Sequence, residues 1–256
     1  MLQYILPIMP TDMTLYCEPF IGGGAAFWAK EPSPVEVIND SNRELINFYE
    51  VCQNDFIDLE KLIRITLHSR SLFNDARVIY ENPHMFDRIK RAWAVWVLST
   101  QGFASKIDGA WGYEKQKSSV STKIKNKRET FTEDLAIRLQ KVQIECTDAL
   151  RVIRSRDGKN AFFYCDPPYF NSDCGHYDGY TIEDFEMLLK ALSIINGRFL
   201  LSSYPSKILD EYVSLNGWHQ QSFTQKVSVS RNKEKLKTKV EVLTSSYKLE
   251  SLTLFS

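Results

Sequence analysis

Residues 15–28 constrain the fold more than any other stretch of this chain. Leu15-Tyr16-Cys17-Glu18-Pro19-Phe20 predicts a short strand. Ile21-Gly22-Gly23-Gly24-Ala25-Ala26-Phe27-Trp28 predicts a glycine loop that opens a helix. Glycine takes positive φ without steric penalty and lets the backbone pass close to a ligand. A strand, a glycine loop and a helix in succession belong to an α/β fold, with a cofactor at the carboxyl end of a parallel sheet. The dinucleotide pattern G-x-G-x-x-G is only half met, because Phe27 stands where the third small residue belongs. That disfavours a nicotinamide dehydrogenase.

Two further strand ends carry acids. Val35-Glu36-Val37-Ile38-Asn39-Asp40 is β-rich and lies about 20 residues past the glycine loop, the distance typical of a ribose-binding acid. A helical pattern starts at Ser41-Asn42-Arg43, so Asp40 is equally placed to act as a helix cap. Far downstream, the apolar run Ala161-Phe162-Phe163-Tyr164-Cys165 predicts a buried strand, and Asp166-Pro167-Pro168-Tyr169 follows it. Neither proline donates a backbone N–H and both have fixed φ. The carbonyls of Asp166 and Pro167 are therefore available to a ligand, beside a carboxylate and an aromatic face. Such a set suits a planar group bearing an –NH₂. A plain strand with a Pro-rich turn is the simpler reading of the tetrapeptide alone.

Taken together, Glu18-Pro19-Phe20-x-Gly22-Gly23-Gly24, Val37-Ile38-Asn39-Asp40 and Asp166-Pro167-Pro168-Tyr169 resemble the motifs of the Dam-like, alpha-class N6-adenine DNA methyltransferases. The resemblance spans about Leu15 to Leu249, with the cofactor motif first and the catalytic motif last. It implies a class I S-adenosylmethionine-dependent methyltransferase sheet, Rossmann-like, with an inserted, mainly helical target-recognition domain. It implies S-adenosyl-L-methionine at Glu18, Pro19, Phe20, Gly22, Gly23, Gly24, Asn39, Asp40 and Asp166. Asp148, after the strand-like run Val142-Gln143-Ile144-Glu145-Cys146, would lie near the cofactor's adenine or else cap the next helix. Asp166, Pro167, Pro168 and Tyr169 would be catalytic, acting on the N6 amine of a flipped-out adenine. Double-stranded DNA is the implied partner; a cognate restriction endonuclease is left open.

The family usually opens with a Tyr/Trp-x-Gly-Gly-Lys segment. This sequence opens with Met1-Leu2-Gln3-Tyr4-Ile5-Leu6-Pro7, past the point where that segment would lie, and is expected to be short at its start. The alternatives are therefore an N4-cytosine DNA methyltransferase, which more often carries Ser in place of Asp166, and a catalytically impaired DNA-binding homologue. A glutamine methyltransferase is ranked lower, since Asn usually replaces the Asp there.

The 256 residues carry 32 basic and 32 acidic side chains, so bulk charge cannot hold nucleic acid and local clusters must. Two exist. Lys115, Lys117, Lys123, Lys125, Lys127 and Arg128 crowd a Ser/Thr-rich stretch expected to be a loop. Arg231, Lys233, Lys235, Lys237 and Lys239 crowd a second. Beside the first lies the Gly- and aromatic-rich segment 101–113, in which Lys106, Trp111 and Tyr113 are candidate DNA contacts, while Trp93 and Trp96 read as core. His176 and Tyr177 fall in a polar loop after the catalytic motif. Residues 1–50 and 141–256 are expected to form the catalytic and cofactor domain, and 51–140 the recognition insert. No metal-ligand cluster, signal peptide or membrane span is expected. Five cysteines without C-x-x-C spacing fit a cytoplasmic chain. Of these, Cys17, Cys146 and Cys165 are expected to be buried thiols.

Overall fold

A computed structural model describes residues 1–103, 107–114, 119–170, 179–226 and 238–249. The strands are β1 (Leu15–Glu18), β2 (Val35–Asn39), β3 (Val142–Glu145), β4 (Ala161–Cys165), β5 (Arg198–Ser203), β6 (His219–Lys226) and β7 (Thr238–Ser245). The helices are α1 (Leu2–Ile5), α2 (Ala25–Ala29), α3 (Arg43–Asn54), α4 (Phe56–Ile65), α5 (Arg70–Glu81), α6 (Arg88–Gln101), α7 (Ser119–Glu129), α8 (Asp134–Leu139), α9 (Ala149–Arg156), α10 (Ile182–Leu192) and α11 (Lys207–Asn216). The strands form one mixed seven-stranded sheet in the order β3-β2-β1-β4-β5-β7-β6. The chain divides into two compact units, residues 1–39 with 147–256, and residues 40–146.

In the first unit, β1 pairs in parallel with both β2 and β4, and β4 with β5. The antiparallel pair β6–β7 closes the series against β5, as the alternating run at the end of the sequence predicts. β4 is buried along its whole length, which explains its unbroken apolar sequence. One face of the sheet packs Phe163, Cys165, Phe199 and Leu201 against Phe185 and Leu188 of α10 and Leu209 of α11. Thr181 starts α10 with a capping box to Asp184. Gly197 has a local reason to be glycine, since a Cβ there would stand 2.7 Å from the Ala161 carbonyl oxygen. The Asp157 carboxylate accepts from the N–H groups of Asn196 and Gly197, fixing the entry to β5.

The second unit is helical apart from β3. Arg91 of α6 clasps Glu44 of α3 through two hydrogen bonds of 2.8 and 2.5 Å. Gln53 of α3 donates to the carbonyls of Leu139 and Val142, holding the end of α8 and the start of β3.

Several local expectations change. Helices are predicted at 58–63 and 88–98 with polar and aromatic stretches between them, but residues 70–81 there form α5, capped by Ser69, with Phe73, Ala76 and Ile79 buried on one side. The expected basic loop is in part the helix α7, held by Ile124, which is 1% exposed. The run from Thr132 to Leu139 predicts a helix capped by Thr130 or Thr132, yet Glu133 occupies the cap position of α8 without a side-chain bond. Thr130 instead bonds back to the Asn126 carbonyl at the end of α7. Cys146 is exposed, since β3 is an edge strand and stops one residue before it, whereas Cys17 and Cys165 are buried.

Candidate active site

β1 and β4 run side by side, so the segments that follow them leave the same edge of the sheet. Opposed residues of parallel strands share a face. Tyr16 lies opposite Phe162, and Tyr164 opposite Leu200. The face of Tyr16 and Glu18 is therefore that of Phe162, Tyr164, Leu200 and Ser202, and it faces away from the α10–α11 core.

At the end of β1 the chain turns sharply. Ile21 N–H donates to the Asn39 carbonyl at 2.8 Å, and Gly24 N–H to the Ile21 carbonyl at 2.7 Å. Gly22 and Gly24 have φ of 47° and 64°, a left-handed backbone that favours glycine. Gly24 is the N-terminal cap of α2. A Cβ added at Gly22 or Gly23 would meet nothing within 4 Å, so the loop surface is open to a ligand. Phe20 sets its ring edge-on to Tyr180, centroids 6.4 Å apart.

At the end of β4, the Tyr169 hydroxyl donates to Asp166 Oδ1 at 3.0 Å and shares a 3.0 Å hydrogen bond with Ser202 Oγ of β5. The Tyr204 ring lies against Tyr169, centroids 4.4 Å apart. This set fixes the carboxylate's orientation through Oδ1. Asp166 is exposed, yet its carboxyl is pushed up to about 6 by desolvation, with Tyr169 lowering it and Glu241 of β7 raising it. A group both accessible and desolvated lies in a recess. Glu18, fully enclosed, is raised to about 8 by burial, eased by the hydrogen bond from Tyr16 and pushed further by the charge of Asp166.

An open glycine loop and an acid–tyrosine pair at neighbouring strand ends restrict the families to consider. The family model for D12 class N6 adenine-specific DNA methyltransferases matches residues 1–241. The chain belongs to that family. It is 27% identical over 203 residues to the Type II methyltransferase M1.LlaDCHI of Lactococcus lactis subsp. cremoris, covering 72% of this chain and 67% of that one. Among solved structures it is similar to the rRNA methyltransferase aviRa of Streptomyces viridochromogenes (TM-score 0.37, 11% identity, 95% of this chain and 81% of that chain). It is also similar to PH1948 of Pyrococcus horikoshii, assigned as an RNA methyltransferase (TM-score 0.28, 11% identity, 45% of this chain and 57% of that chain). At that level neither structure bears on the site or substrate of this one.

Within this adenine-specific methyltransferase, the expected site residues fall into different roles. Glu18, Gly22–Gly24 and Asp166–Tyr169 lie at the carboxyl ends of β1 and β4. Pro19 is buried, and its carbonyl accepts from Asn39 Nδ2 at 2.9 Å. Asn39 differs from its expected role as a cofactor ligand. It is fully buried, donates also to the Thr147 carbonyl at 3.0 Å, and accepts from Thr147 N–H at 3.0 Å. Both amide hydrogens and the oxygen are thus engaged in tying the end of β2 to the loop after β1 and to the segment before α9. Asp40, half-buried, accepts from Asn42 N–H at 2.9 Å, while Asn42 is the cap of α3. Asp148 caps α9 by accepting from Arg151 N–H at 3.0 Å.

In the second unit, Tyr113 is 57% exposed and stacks on Trp111, whose ring N–H donates to Gln101 at 3.3 Å. Arg70 lies 4.7 Å over Trp111 and 5.6 Å from Tyr113. Trp111 is half-buried and supports the exposed Tyr113. Trp96 is buried as expected; Trp93 is half-buried and donates to Thr66 Oγ1 at 2.7 Å. Lys123, Lys125 and Lys127 are exposed on α7, and Arg128 is half-buried. Lys106, Lys115, Lys117, Arg231, Lys233, Lys235 and Lys237 lie outside the described residues, as do His176, Tyr177 and the Lys239 side chain. Sequence reasoning missed Ser202, Tyr204, Glu241 and Arg70. A signal for Tyr204 exists, because Ser203-Tyr204-Pro205 repeats the strand-end aromatic and proline of the catalytic motif. Among the described residues no helix is long and apolar enough to cross a membrane, and no His, Cys, Asp and Glu group could hold a metal ion.

Proposed function

We propose that this methyltransferase transfers the methyl group of S-adenosyl-L-methionine to the N6 amine of adenine at a specific site in double-stranded DNA. The observation that carries this reading is the Asp166–Tyr169–Ser202 hydrogen-bonded set beside the glycine loop. Glu18, Pro19, Phe20 and Gly22–Gly24 would hold the cofactor, with Asp40 on the ribose and Asp148 near the adenine. The open surface at Gly22 and Gly23, and two carboxyls that ionise more readily beside a cation, fit a sulfonium ligand. When bound, the cofactor supplies an electrophilic methyl whose bond to sulfur breaks with the electron pair staying on sulfur.

The adenine amine is a poor nucleophile, because its lone pair is delocalised into the ring. Asp166 accepts one N6 hydrogen and the Pro167 carbonyl the other. Holding both hydrogens pushes the nitrogen toward tetrahedral geometry, and positioning supplies most of the rate. Tyr169 keeps Asp166 oriented, and the Tyr169 and Tyr204 rings offer faces for the base. The base must leave the duplex stack, at a cost of a few kcal/mol. Residues 51–140 act as the recognition insert, where Tyr113 and the α7 lysines, with Lys106, Trp111, Lys115, Lys117 and Arg128, contact DNA. Arg231, Lys233 and Lys235 add phosphate contacts. A partner restriction endonuclease completes a restriction–modification pair.

The test is methyl transfer from labelled S-adenosylmethionine to unmethylated genomic DNA, followed by nucleoside mass analysis. N6-methyladenine is expected from the native chain and none from Asp166→Ala, whose cofactor binding remains measurable. N4-methylcytosine as product, or near-normal turnover in Asp166→Ala, would overturn the reading.

A further inference from the structure

We infer that Glu241 is a positioning residue for the transfer step: a second carboxylate, supplied by β7 on the sheet face that holds Tyr169 and Asp166, which acts on the N6 proton through Asp166. The inference rests on the reaction proposed above. Its basis is strand register. β7 pairs antiparallel to β5 with Ser202 opposite Leu243 and Ser203 opposite Val242. Directly opposed residues share a face, and residues two apart on a strand share it too. Glu241 is therefore on the face of Leu243 and Ser202. That face holds the Tyr169 hydroxyl through Ser202 Oγ, and through Tyr169 it holds Asp166. Glu241 also stands opposite Phe223 of β6, whose ring packs on Tyr4 of α1 with centroids 4.4 Å apart. It is half-buried.

Among the described residues, the groups acting on this recess include Glu18 on β1, Tyr164 at the end of β4, Tyr169 after it, and Glu241 on β7. On Asp166 itself, Tyr169 acts to lower the pKa and Glu241 to raise it. Lys30 of the α2 end acts on Glu18, and it lies over the Tyr16 ring, paired with Glu36 at 2.5 Å. Burial raises the Tyr169 hydroxyl first, the Asp166 charge next, and Glu241 adds to them.

The chemistry gives the second carboxylate a use. As the new N–C bond forms, the amine nitrogen becomes cationic and must lose one hydrogen. The proton passes from N6 to Oδ2 of Asp166, and the N–H pair returns to the nitrogen. A carboxylate at its ordinary value is a weak acceptor; one raised by a neighbouring charge is better matched to neutral pH. Glu241 touches neither base nor cofactor in this scheme and acts through Asp166.

The test is the pH dependence of single-turnover methyl transfer, with enzyme in excess over sites in unmethylated genomic DNA and saturating S-adenosylmethionine. Single turnover removes product release from the profile. Glu241→Gln is expected to move the acid limb down by roughly half a pH unit or more and to lower the plateau rate. Glu241→Asp keeps the limb near its native position. A limb unmoved in Glu241→Gln, with only a uniform loss of rate, overturns the inference as a merely structural effect. Should that variant not fold, carbon-13 titration of the native Asp166 carboxyl decides. A step in the Asp166 titration that coincides with ionisation of the Glu241 carboxyl, followed in the same experiment, supports the inference, and an Asp166 titration that never tracks Glu241 overturns it. Asp166→Ala separates the two proposals: its activity would remove the parent reaction, whereas an inactive Asp166→Ala with an unmoved Glu241→Gln limb removes only the role of Glu241.

Discussion

A desolvated carboxyl ionises late, and later still beside another charge: desolvation raises both Glu18 and Asp166, and Glu18 is raised further by the charge of Asp166. Both folded values are raised, to about 8 and about 6, so their contribution to stability is intact below the ordinary carboxylate range. It is lost as pH climbs through about 6 and then about 8. A cation bound next to them reverses that loss, because it favours the ionised forms. S-adenosylmethionine carries a sulfonium charge that its demethylated product lacks. The ratio of cofactor to product affinity is therefore expected to rise from pH 5.5 to pH 8.5, as isothermal titration at several pH values would show. Each ionisation adds up to about tenfold for every pKa unit by which the sulfonium shifts the acid. Glu18→Gln should remove the upper step and leave the lower one. A ratio flat with pH would place the sulfonium away from both acids. The same electrostatics would help release the product, since the charge that relieved the repulsion is gone after transfer.

At the scale of elements, the ends of β1, β2 and β4 were legible because each motif is local: a strand and the turn that follows it are written in adjacent residues. What the sequence does not write is which way a strand-end side chain points. Asn39 and Asp40 are neighbours in a motif that resembles a ribose site, yet Asn39 turns inward and clamps Pro19 and Thr147. Ser202 and Glu241 escaped notice for a related reason. Their roles follow from the pairing of β5 with β7, set by register between strands about 40 residues apart. The helices α5 and α7 were hidden by composition, since Phe73, Ala76, Ile79 and Ile124 are few apolar residues among many charged ones. The clamp makes its own prediction. Asn39→Ala leaves the Pro19 and Thr147 backbone groups unpaired in a buried place and should cost about 3 kcal/mol, read as a lower urea midpoint. Cofactor affinity should fall with it, because the glycine loop is hung on the same strand end. Asp40→Ala, at a half-buried position, should cost much less stability. Equal midpoints for the two variants would remove the clamp from the account.

For the whole molecule, 32 basic residues against 32 acidic ones leave no net field to draw in a polyanion. Any grip on DNA must come from places where the balance is locally broken, and α7, within the first basic cluster, is one of them. On it Lys123 and Lys127 are four residues apart, so they project from one side of the helix one turn above the other. Ile124 on a neighbouring side is buried and holds the helix down. Lys125 points elsewhere and stands 3.6 Å from Glu129, which offsets its charge. If the first pair meets phosphates, each contact releases about one condensed counterion, and the logarithm of affinity falls with the logarithm of salt in proportion. Lys123→Ala with Lys127→Ala should then flatten the salt slope of DNA binding by about two and weaken binding similarly for all sequences. Lys125→Ala should flatten it by less than one. Neither change should alter which base is methylated or the pH limb set by Asp166, because phosphate contacts fix register on the duplex and do not read bases. Fluorescence anisotropy with a labelled duplex from 50 to about 300 mM salt measures the slopes. Three equal slopes would assign the electrostatic contact to another part of the chain.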